Sequence, residues 1–418
     1  MSEARELDEQ VLGWLVPDDR DPAAVSQHDA QQLAWCTAPG KSSMPEGELV
    51  ELAAACARLL ERSGRHRAAT TLREHTPGVL AGWARSARHG SVACARAMQA
   101  TGVQPPDTDA LAWAALMGSE EARAFDAVQR MLESALDEGR LSVGDENWPA
   151  RQGKLVEDWL RTPGAEFAGR APLDVIHEER AVDWADAGTA ARRSILRGVL
   201  PLFAMTTEPP ADPVQPLRFL LDAINQGITL AGKDRLPVDF VRDMADRFGW
   251  GMAAFIIRKE GDVVELSEIR DLATRTHLIT LRLRQHTLEL TPVGRAALDD
   301  PARLWTIAAA GWFEHDDFAA HVAEIAAATL LRGPGTTKDL ATTAQEAVAS
   351  SFRDLDGTHP DYREVRTATR EWLRLGNALG WLDYPHGPHE QVCGLTEPGR
   401  AAAIEGLRHR AWAPHQAA

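Results

Sequence analysis

The basic side chains with the most regular spacing lie in residues 361–379. Four arginines recur every three to four positions: Arg363, Arg366, Arg370 and Arg374. An apolar set recurs out of phase with them: Val365, Ala368, Trp372, Leu375 and Leu379. At about 100° per residue, the two sets occupy opposite faces of one helix. Guanidinium groups on an exposed face can contact phosphates or guanine edges. Glu364 and Glu371 flank them, however, so a plain solvated or protein-binding face is the alternative.

Two other groups combine residue types that bind metals. One has H-x2-H-x3-C spacing and could supply three zinc ligands, without an evident fourth: His386, His389 and Cys393. The other is more simply the start of a helix, with an aspartate as its cap: His315, Asp316, Asp317 and His321. We therefore expect no metal site and no cofactor. The sequence has no phosphate-binding glycine loop, GxSxG elbow or HExxH motif, so we predict a non-enzymatic protein.

The elements that position the arginines begin with a β-hairpin at residues 279–291. Apolar and polar residues alternate strictly on both of its arms, which is typical of strands. Thr291 can cap the next helix, with Pro292 at its first position. Arg282 and Arg284 lie on the polar side of the first arm and are further candidates for nucleic-acid contact. The preceding helix is acidic and is therefore a poorer DNA-binding element.

Residues 217–300 form one predicted segment. Its elements are a helix, a short strand, two further helices and this hairpin. A similar order of patterns returns in residues 317–410, where LTEPGR repeats the LTPVGR that closes the first hairpin. The LT-x-x-G element resembles the end of the wing in MarR- and PadR-like regulators. Residues 217–300 also resemble a domain that recurs in uncharacterised actinobacterial proteins. The resemblance implies two tandem winged-helix units, which bind either DNA or proteins.

The rest of the chain is predicted to be helical. Residues 1–45 are poorly patterned, and residues 46–140 show the apolar period of an all-helical domain. Ser119 is expected to cap one of its helices. Residues 141–205 form a further helical segment, and the proline-rich residues 206–216 form a linker. We therefore predict a mainly α fold, with a helical N-terminal half followed by the two α+β winged-helix units.

A local pattern in residues 154–176 resembles the toxin-binding segment of Xre/MbcA/ParS-type antitoxins. The pattern consists of Trp159, Leu160, Pro163, Gly169, Pro172 and Ile176. It departs from the antitoxins after Ile176, where His177 and Glu178 follow instead of glycine and valine. The resemblance implies a protein-binding site at Trp159, Leu160, Pro163 and Phe167. A helix–turn–helix packing element is the alternative.

Composition narrows the class of partner. The net charge is −16, and residues 1–215 contain 22 basic and 33 acidic side chains. This half repels nucleic acid, whereas the remainder is nearly neutral. The four cysteines are scattered, which predicts reduced thiols in a cytoplasm. The sequence shows neither an apolar run long enough to span a membrane nor a secretory leader, so we expect neither a membrane protein nor a secreted one. We expect a regulator or adaptor that binds DNA or a protein through its C-terminal half. The alternatives are an antitoxin-like component of a complex and an enzyme of unfamiliar type, and a homo-oligomer stays open.

Overall fold

The computed structural model describes residues 3–16, 21–205, 209, 214–232, 234–250, 256–282, 285–315, 317–353, 356–383 and 392–414. Within these ranges helices dominate, and the strands form a two-stranded and a three-stranded sheet. The prediction of a mainly helical fold with small sheets in the C-terminal half is confirmed at this level. The chain divides into two compact units. The second unit is Arg180–Ala413, and the first unit precedes it.

The first core of the first unit is formed by six helices and a π-helix. Their bounds are α1 Glu3–Leu15, α2 Gln27–Gln31, π-helix Gln32–Thr37, α3 Ala38–Lys41, α4 Glu46–Arg62, α5 His66–Arg85 and α6 Ala87–Ala100. The apolar face of α4 is buried, as its helical period predicts. The weakly patterned start of the chain joins the same core, because Asp8 of α1 binds both Arg58 and Arg62 of α4 at 2.7 Å.

Two of the four cysteines are joined in this core. Cys36 of the π-helix and Cys94 of α6 form a disulfide, with their Cα atoms 5.9 Å apart. That separation is typical of disulfides. The prediction of four reduced thiols is therefore wrong for this pair, because only the packing of the helices brings the two residues together. Cys56 and Cys393 are free and buried.

A second core of the first unit lies under three further helices. They are α7 Ser119–Asp137, α8 Trp148–Arg161 and α9 Pro172–Asp186, the last of which continues into the second unit. Helix α7 begins at Ser119, but Gly118 is its N-cap, so the prediction that Ser119 caps it is wrong. The carboxylate of Glu179 accepts hydrogen bonds from the N–H groups of Glu120 and Glu121 at 3.0 and 3.1 Å instead. A distant side chain thus replaces the local cap.

The second unit contains the predicted hairpin. Its first helices and strands are α10 Ala190–Arg197, α11 Gln215–Asn225, α12 Val238–Phe248, α13 Val264–Arg275, β1 Ile279–Arg282 and β2 Thr287–Leu290. Strands β1 and β2 pair antiparallel, with Ile279 opposite Leu290 and Leu281 opposite Leu288. Thr229 forms a bridge to Thr287, which places the chain between α11 and α12 beside β2. Two helices follow: α14 Pro292–Asp299 and α15 Pro301–Gly311.

The same order of elements returns after α15. They are α16 Asp317–Arg332, β3 Gly335–Thr336, α17 Thr337–Val348, α18 Tyr362–Ala378, β4 Leu382–Asp383, β5 Val392–Leu395 and α19 Glu397–Trp412. The sheet has the order β3-β5-β4 and is antiparallel. Thr336 caps α17 in a capping box with Asp339. We call residues 215–299 the first hairpin segment and residues 317–412 the second.

The repeated LT-x-x-GR sequence forms the same joint in both hairpin segments. Thr291 accepts the N–H of Gly294 at 3.0 Å, and Thr396 accepts the N–H of Gly399 at 3.1 Å. Each threonine also donates its hydroxyl to a carbonyl just before the hairpin. A Cβ on Gly294 would collide with the carbonyl of Leu278, and one on Gly399 with the carbonyl of Trp381. The repeated residues therefore lock the hairpin onto the helix that follows it.

A buried ion network connects several helices of the second unit. Glu324 of α16 is fully buried and accepts hydrogen bonds from Arg192 Nη2 and Arg410 Nε, each at 2.9 Å, and from Trp184 Nε1 at 3.1 Å. Burial alone would raise the pKa of Glu324, but the neighbouring His321, Arg410 and Arg192 lower it below its ordinary value. The ionised carboxylate is therefore the native form.

The joint predicts an unusual response to alanine. Gly294→Ala and Gly399→Ala add a methyl group against a backbone carbonyl, so each should lower the free energy of unfolding by about 1–3 kcal/mol, although alanine favours helices. Urea unfolding followed by circular dichroism measures this. Gly261→Ala is the control, since a Cβ there meets no atom within 4 Å. Equal stabilities of all three variants would contradict the account of the joint.

The network predicts a pH-dependent loss of stability. Glu324→Gln leaves Arg192 buried without its carboxylate, and it should lower the free energy of unfolding by about 3–5 kcal/mol at pH 7. Folding lowers the pKa of Glu324, so its carboxylate contributes to the free energy of unfolding at pH values above the ordinary carboxyl pKa of about 4.3. This contribution is lost as the pH falls through the lower pKa that Glu324 has in the folded protein. The difference between wild type and variant should shrink below that pH. Glu346→Gln, on the exposed face of α17, should change stability little at any pH.

Candidate interaction surface on helices α13 and α18

Helix α18 forms as its sequence predicts. Asp361 caps it in a capping box with Glu364, through hydrogen bonds of 2.9 and 2.7 Å. The predicted apolar stripe is buried in the core of the second unit: Val365, Ala368, Trp372, Leu375 and Leu379. Trp372 stacks on Trp312, with ring centroids 4.4 Å apart. The core thus holds one face of α18 and leaves the opposite face for the arginines.

The four arginines of α18 differ in their surroundings. Arg363 and Arg370 are exposed, and within the described residues no carboxylate lies within 4 Å of either guanidinium group. Arg366 is half-buried, and its Nε has no hydrogen-bond partner in the described part of the chain. Arg374 is exposed but lies 3.4 Å from Glu268 and 3.8 Å from Glu371. Among the described residues, two of the four are thus surface charges without a carboxylate partner.

Helix α13 packs against α18. These two helices hold equivalent places in the two hairpin segments, each directly before its hairpin. The pair Glu268–Arg374 lies between them. Burial raises the pKa of Glu268, with Asp271 adding to the rise and Arg374 opposing it. The partly buried carboxylate therefore needs the arginine as a counter-charge, and acidic α13 screens one end of the arginine face.

The remaining basic candidates lie on the first hairpin. Arg282 of β1 is 3.1 Å from Glu289 of β2, and both side chains are about half exposed. This is a cross-strand ion pair of the usual surface kind. Arg284 lies outside the described residues. The hairpin therefore places one of its two candidate arginines in an internal pair.

The antitoxin-like residues are mostly part of the first unit's second core. Leu160 is fully buried and Phe167 is 3% exposed. Trp159 is half-buried and meets Phe167 edge to face, with ring centroids 5.9 Å apart. Only Pro163 and part of Trp159 face solvent. Leu160 and Phe167 are therefore covered by the core of the first unit, in which they pack.

Only part of each metal-ligand pattern lies within the described residues. Cys393 is buried, its thiol donates to the carbonyl of Gly335 at 3.0 Å, and burial raises its pKa to about 11. His386, His389 and Asp316 lie outside the described residues. Asp317 begins α16, and its carbonyl is 2.7 Å from Nδ1 of His321. In the part of the chain that the structure describes, no three histidine, cysteine, aspartate or glutamate side chains are grouped as metal ligands would be.

The sequence gives no indication that Glu268 is the partner of Arg374. Glu268 and Arg374 are 106 positions apart, and each lies on a helix with a mixed-charge surface. Helical periodicity places each residue on an outer face but does not show that the two faces meet. Only the juxtaposition of the two hairpin segments identifies the pair. The same juxtaposition distinguishes Arg374 from Arg363 and Arg370.

The contact between α13 and α18 predicts a specific coupling. In a double-mutant cycle, Glu268→Gln and Arg374→Gln should couple by about 0.5–1 kcal/mol in the free energy of unfolding, because the pair is partly buried. Urea unfolding of the four proteins gives the coupling. Glu268→Gln with Arg370→Gln is the matched control and should be additive. Equal coupling in both cycles would contradict a specific ion pair.

No helix in the described ranges is both long and apolar enough to cross a membrane.

The comparisons with known proteins identify no relative of this chain. Compared with family models, with curated proteins and with solved structures, the chain shows no match.

Proposed function

We propose that the protein is a non-enzymatic adaptor that binds an acidic protein partner through tandem winged-helix units, residues 217–300 and 317–410. The order helix, strand contact, helix, helix and hairpin supports the assignment of both units. In the second segment the sheet order β3-β5-β4 also supports it, because the strand before the second helix pairs with the last strand. The bridge between Thr229 and Thr287 is the corresponding contact in the first segment.

The packing of α13 against α18 is the observation on which the choice of partner depends. In DNA-binding helix-turn-helix proteins, the recognition helix enters the major groove with its outer face. Here the two helices in that position contact each other, and Glu268 pairs with Arg374. The acidic residues Glu265, Glu268 and Asp271 of α13 also oppose the approach of a phosphate backbone. A protein surface tolerates such a paired, mixed-charge face better than a DNA groove does.

The exposed part of α18 defines the chemistry of that partner. Arg363 and Arg370 are free of carboxylates in the described structure, and Tyr362, which precedes Arg363 in the chain, is 39% exposed. Tyrosine and arginine are enriched where proteins bind one another. Two unpaired positive charges favour carboxylates on the partner. We define Tyr362, Arg363 and Arg370 as the α18 surface.

DNA contact is the second candidate, and the same two arginines favour it. Arg363 is the second residue of α18 and Arg370 lies at its midpoint, and the N-terminal part of a recognition helix is the part that usually contacts bases. An antitoxin-like role in a complex has less support, because Leu160 and Phe167 are buried. The two leading candidates differ in one measurable property, the binding of duplex DNA.

The adaptor proposal predicts no specific duplex binding. The full chain is mixed with duplex DNA of mixed sequence at 50 mM salt, and binding is followed by fluorescence anisotropy. We expect either no binding or weak binding that the variant Arg363→Ala plus Arg370→Ala leaves unchanged. The control variant is Arg193→Ala plus Arg303→Ala, which removes two exposed arginines elsewhere in the second unit. Binding with a steep salt dependence that only the α18 variant loses would overturn the adaptor proposal in favour of DNA.

A positive test uses a photo-crosslinking amino acid at the α18 surface. Placed at Tyr362 in cells of the source organism, it should crosslink to one protein species. Placed at Arg303, it should not. Arg363→Glu plus Arg370→Glu should abolish the product through repulsion of the acidic partner. Crosslinks that are equal at both positions, or unchanged by the charge reversal, would contradict the proposed surface.

A further inference from the structure

The disulfide of the first unit lies at an irregular place in the fold. Cys36 belongs to the π-helix Gln32–Thr37, which is inserted between α2 and α3, and Cys94 belongs to α6. Wide helical turns of this kind are rare and frequently occur at functional sites. The bond connects these two elements across 58 positions of sequence. Neither the candidate surface nor the proposed function uses it.

The two sulfurs border a cavity. Its volume is about 350 Å³, and both Cys36 and Cys94 are among its lining residues. Polar side chains that can form hydrogen bonds also line it, His28 and Gln32 among them, together with the apolar Trp83 and Met98. The mixture suits a small molecule with an apolar stem and polar groups. The cavity thus gives a reactant of that kind a place beside the disulfide.

The two cysteines are not equally accessible. Cys36 is half-buried, whereas Cys94 is 5% exposed. Thiol–disulfide exchange requires access to the sulfur that is attacked. Cys36 is therefore the favoured point of attack, and Cys94 is the leaving group.

We propose that Cys36–Cys94 is a site of reversible exchange with a low-molecular-weight thiol, with Cys36 as the sulfur that is attacked and modified. In the first step, the small thiolate forms a bond to Cys36 Sγ, the Cys36–Cys94 bond breaks, and Cys94 leaves as a thiolate that takes a proton from solvent. In the second step, another small thiolate attacks the small-molecule sulfur of the mixed disulfide. The products are a small disulfide and the Cys36 thiol. Two electrons pass from two small thiols to the protein disulfide, and the small disulfide reverses both steps.

The surrounding contacts keep the core together when the bond opens. Trp35, beside Cys36, is fully buried and donates its Nε1–H to Thr76 Oγ1 at 2.9 Å. Trp83 donates its Nε1–H to the carbonyl of Trp35 at 2.8 Å. A Cβ on Gly90 would collide with the Trp83 ring, so α6 packs closely on that indole. These contacts connect the π-helix, α5 and α6 independently of the sulfurs, and exchange is therefore a local event.

Differential alkylation of the full chain tests the pair. After incubation with glutathione disulfide, free thiols are alkylated in denaturant, disulfides are reduced, and the new thiols receive a second label of different mass. Peptide mass spectrometry should find the second label on Cys36 and Cys94 and the first on Cys56 and Cys393. Native incubation with increasing reduced glutathione should then convert both Cys36 and Cys94 to the first label in parallel. Two results would overturn the proposal. One is the first label on Cys36 and Cys94 before any reduced glutathione is added, which would mean that both are free thiols. The other is a Cys36–Cys94 bond that reduced glutathione opens only after the protein unfolds.

Single variants test which sulfur is attacked. Under native conditions with glutathione disulfide, Cys94→Ser should form a mixed disulfide at Cys36 at least tenfold faster than Cys36→Ser forms one at Cys94. Cys56, whose pKa burial raises to about 12, is the unreactive internal control. Equal rates, or faster reaction at Cys94, would overturn the assignment to Cys36. If either variant loses its helical circular dichroism, the mixed disulfide trapped by acid in wild type decides: glutathione on Cys36 supports the proposal, and glutathione on Cys94 contradicts it.

Discussion

The buried carboxylate of Glu324 is the interaction on which the second unit most depends. A charge removed from water is tolerated only when its partners are all in place. Arg192 comes from α10, Arg410 from α19 and Trp184 from α9, so all three helices must take one position relative to α16. Helices α16 and α19 begin and end the second hairpin segment. The network therefore determines the frame that holds α18 and its arginine face.

Several arginines elsewhere in the second unit donate to carbonyls at helix ends. The last carbonyls of a helix lack partners within the helix, and a nearby cation compensates them. Arg192 donates to the carbonyls of Trp184 and Ala187 at the end of α9, Arg332 to that of Ile195 in α10, and Arg400 to that of Leu331 in α16. These guanidinium groups keep their charge, and they hold helix ends to neighbouring parts of the second unit.

The two hairpin segments show how a short repeated sequence can be structural while function lies elsewhere. LT-x-x-GR recurs because a capped helix must begin where the hairpin backbone passes without room for a side chain. The α13 and α18 helices share a place in the fold but not a composition. Their differences produce the Glu268–Arg374 ion pair between them, and among the described residues Arg363 and Arg370 of α18 have no carboxylate partner. The repeat thus sets the geometry, and the divergence between its copies sets the chemistry of the surface.

Local sequence was enough to predict three kinds of element: the alternation of β1 and β2, the apolar stripe of α18, and the caps at Thr291, Thr336 and Thr396. Each depends on neighbours within a few positions, which periodicity and capping rules describe. Tertiary structure alone decided the Cys36–Cys94 bond, the Glu179 cap of α7, the burial of Leu160 and Phe167, and the Glu268–Arg374 pair. The disulfide, the cap and the ion pair each join residues 58 or more positions apart. The burial of Leu160 and Phe167 depends on which helices cover the turn. A local pattern shows which face a side chain occupies, but only the packing of the whole unit determines what that face meets.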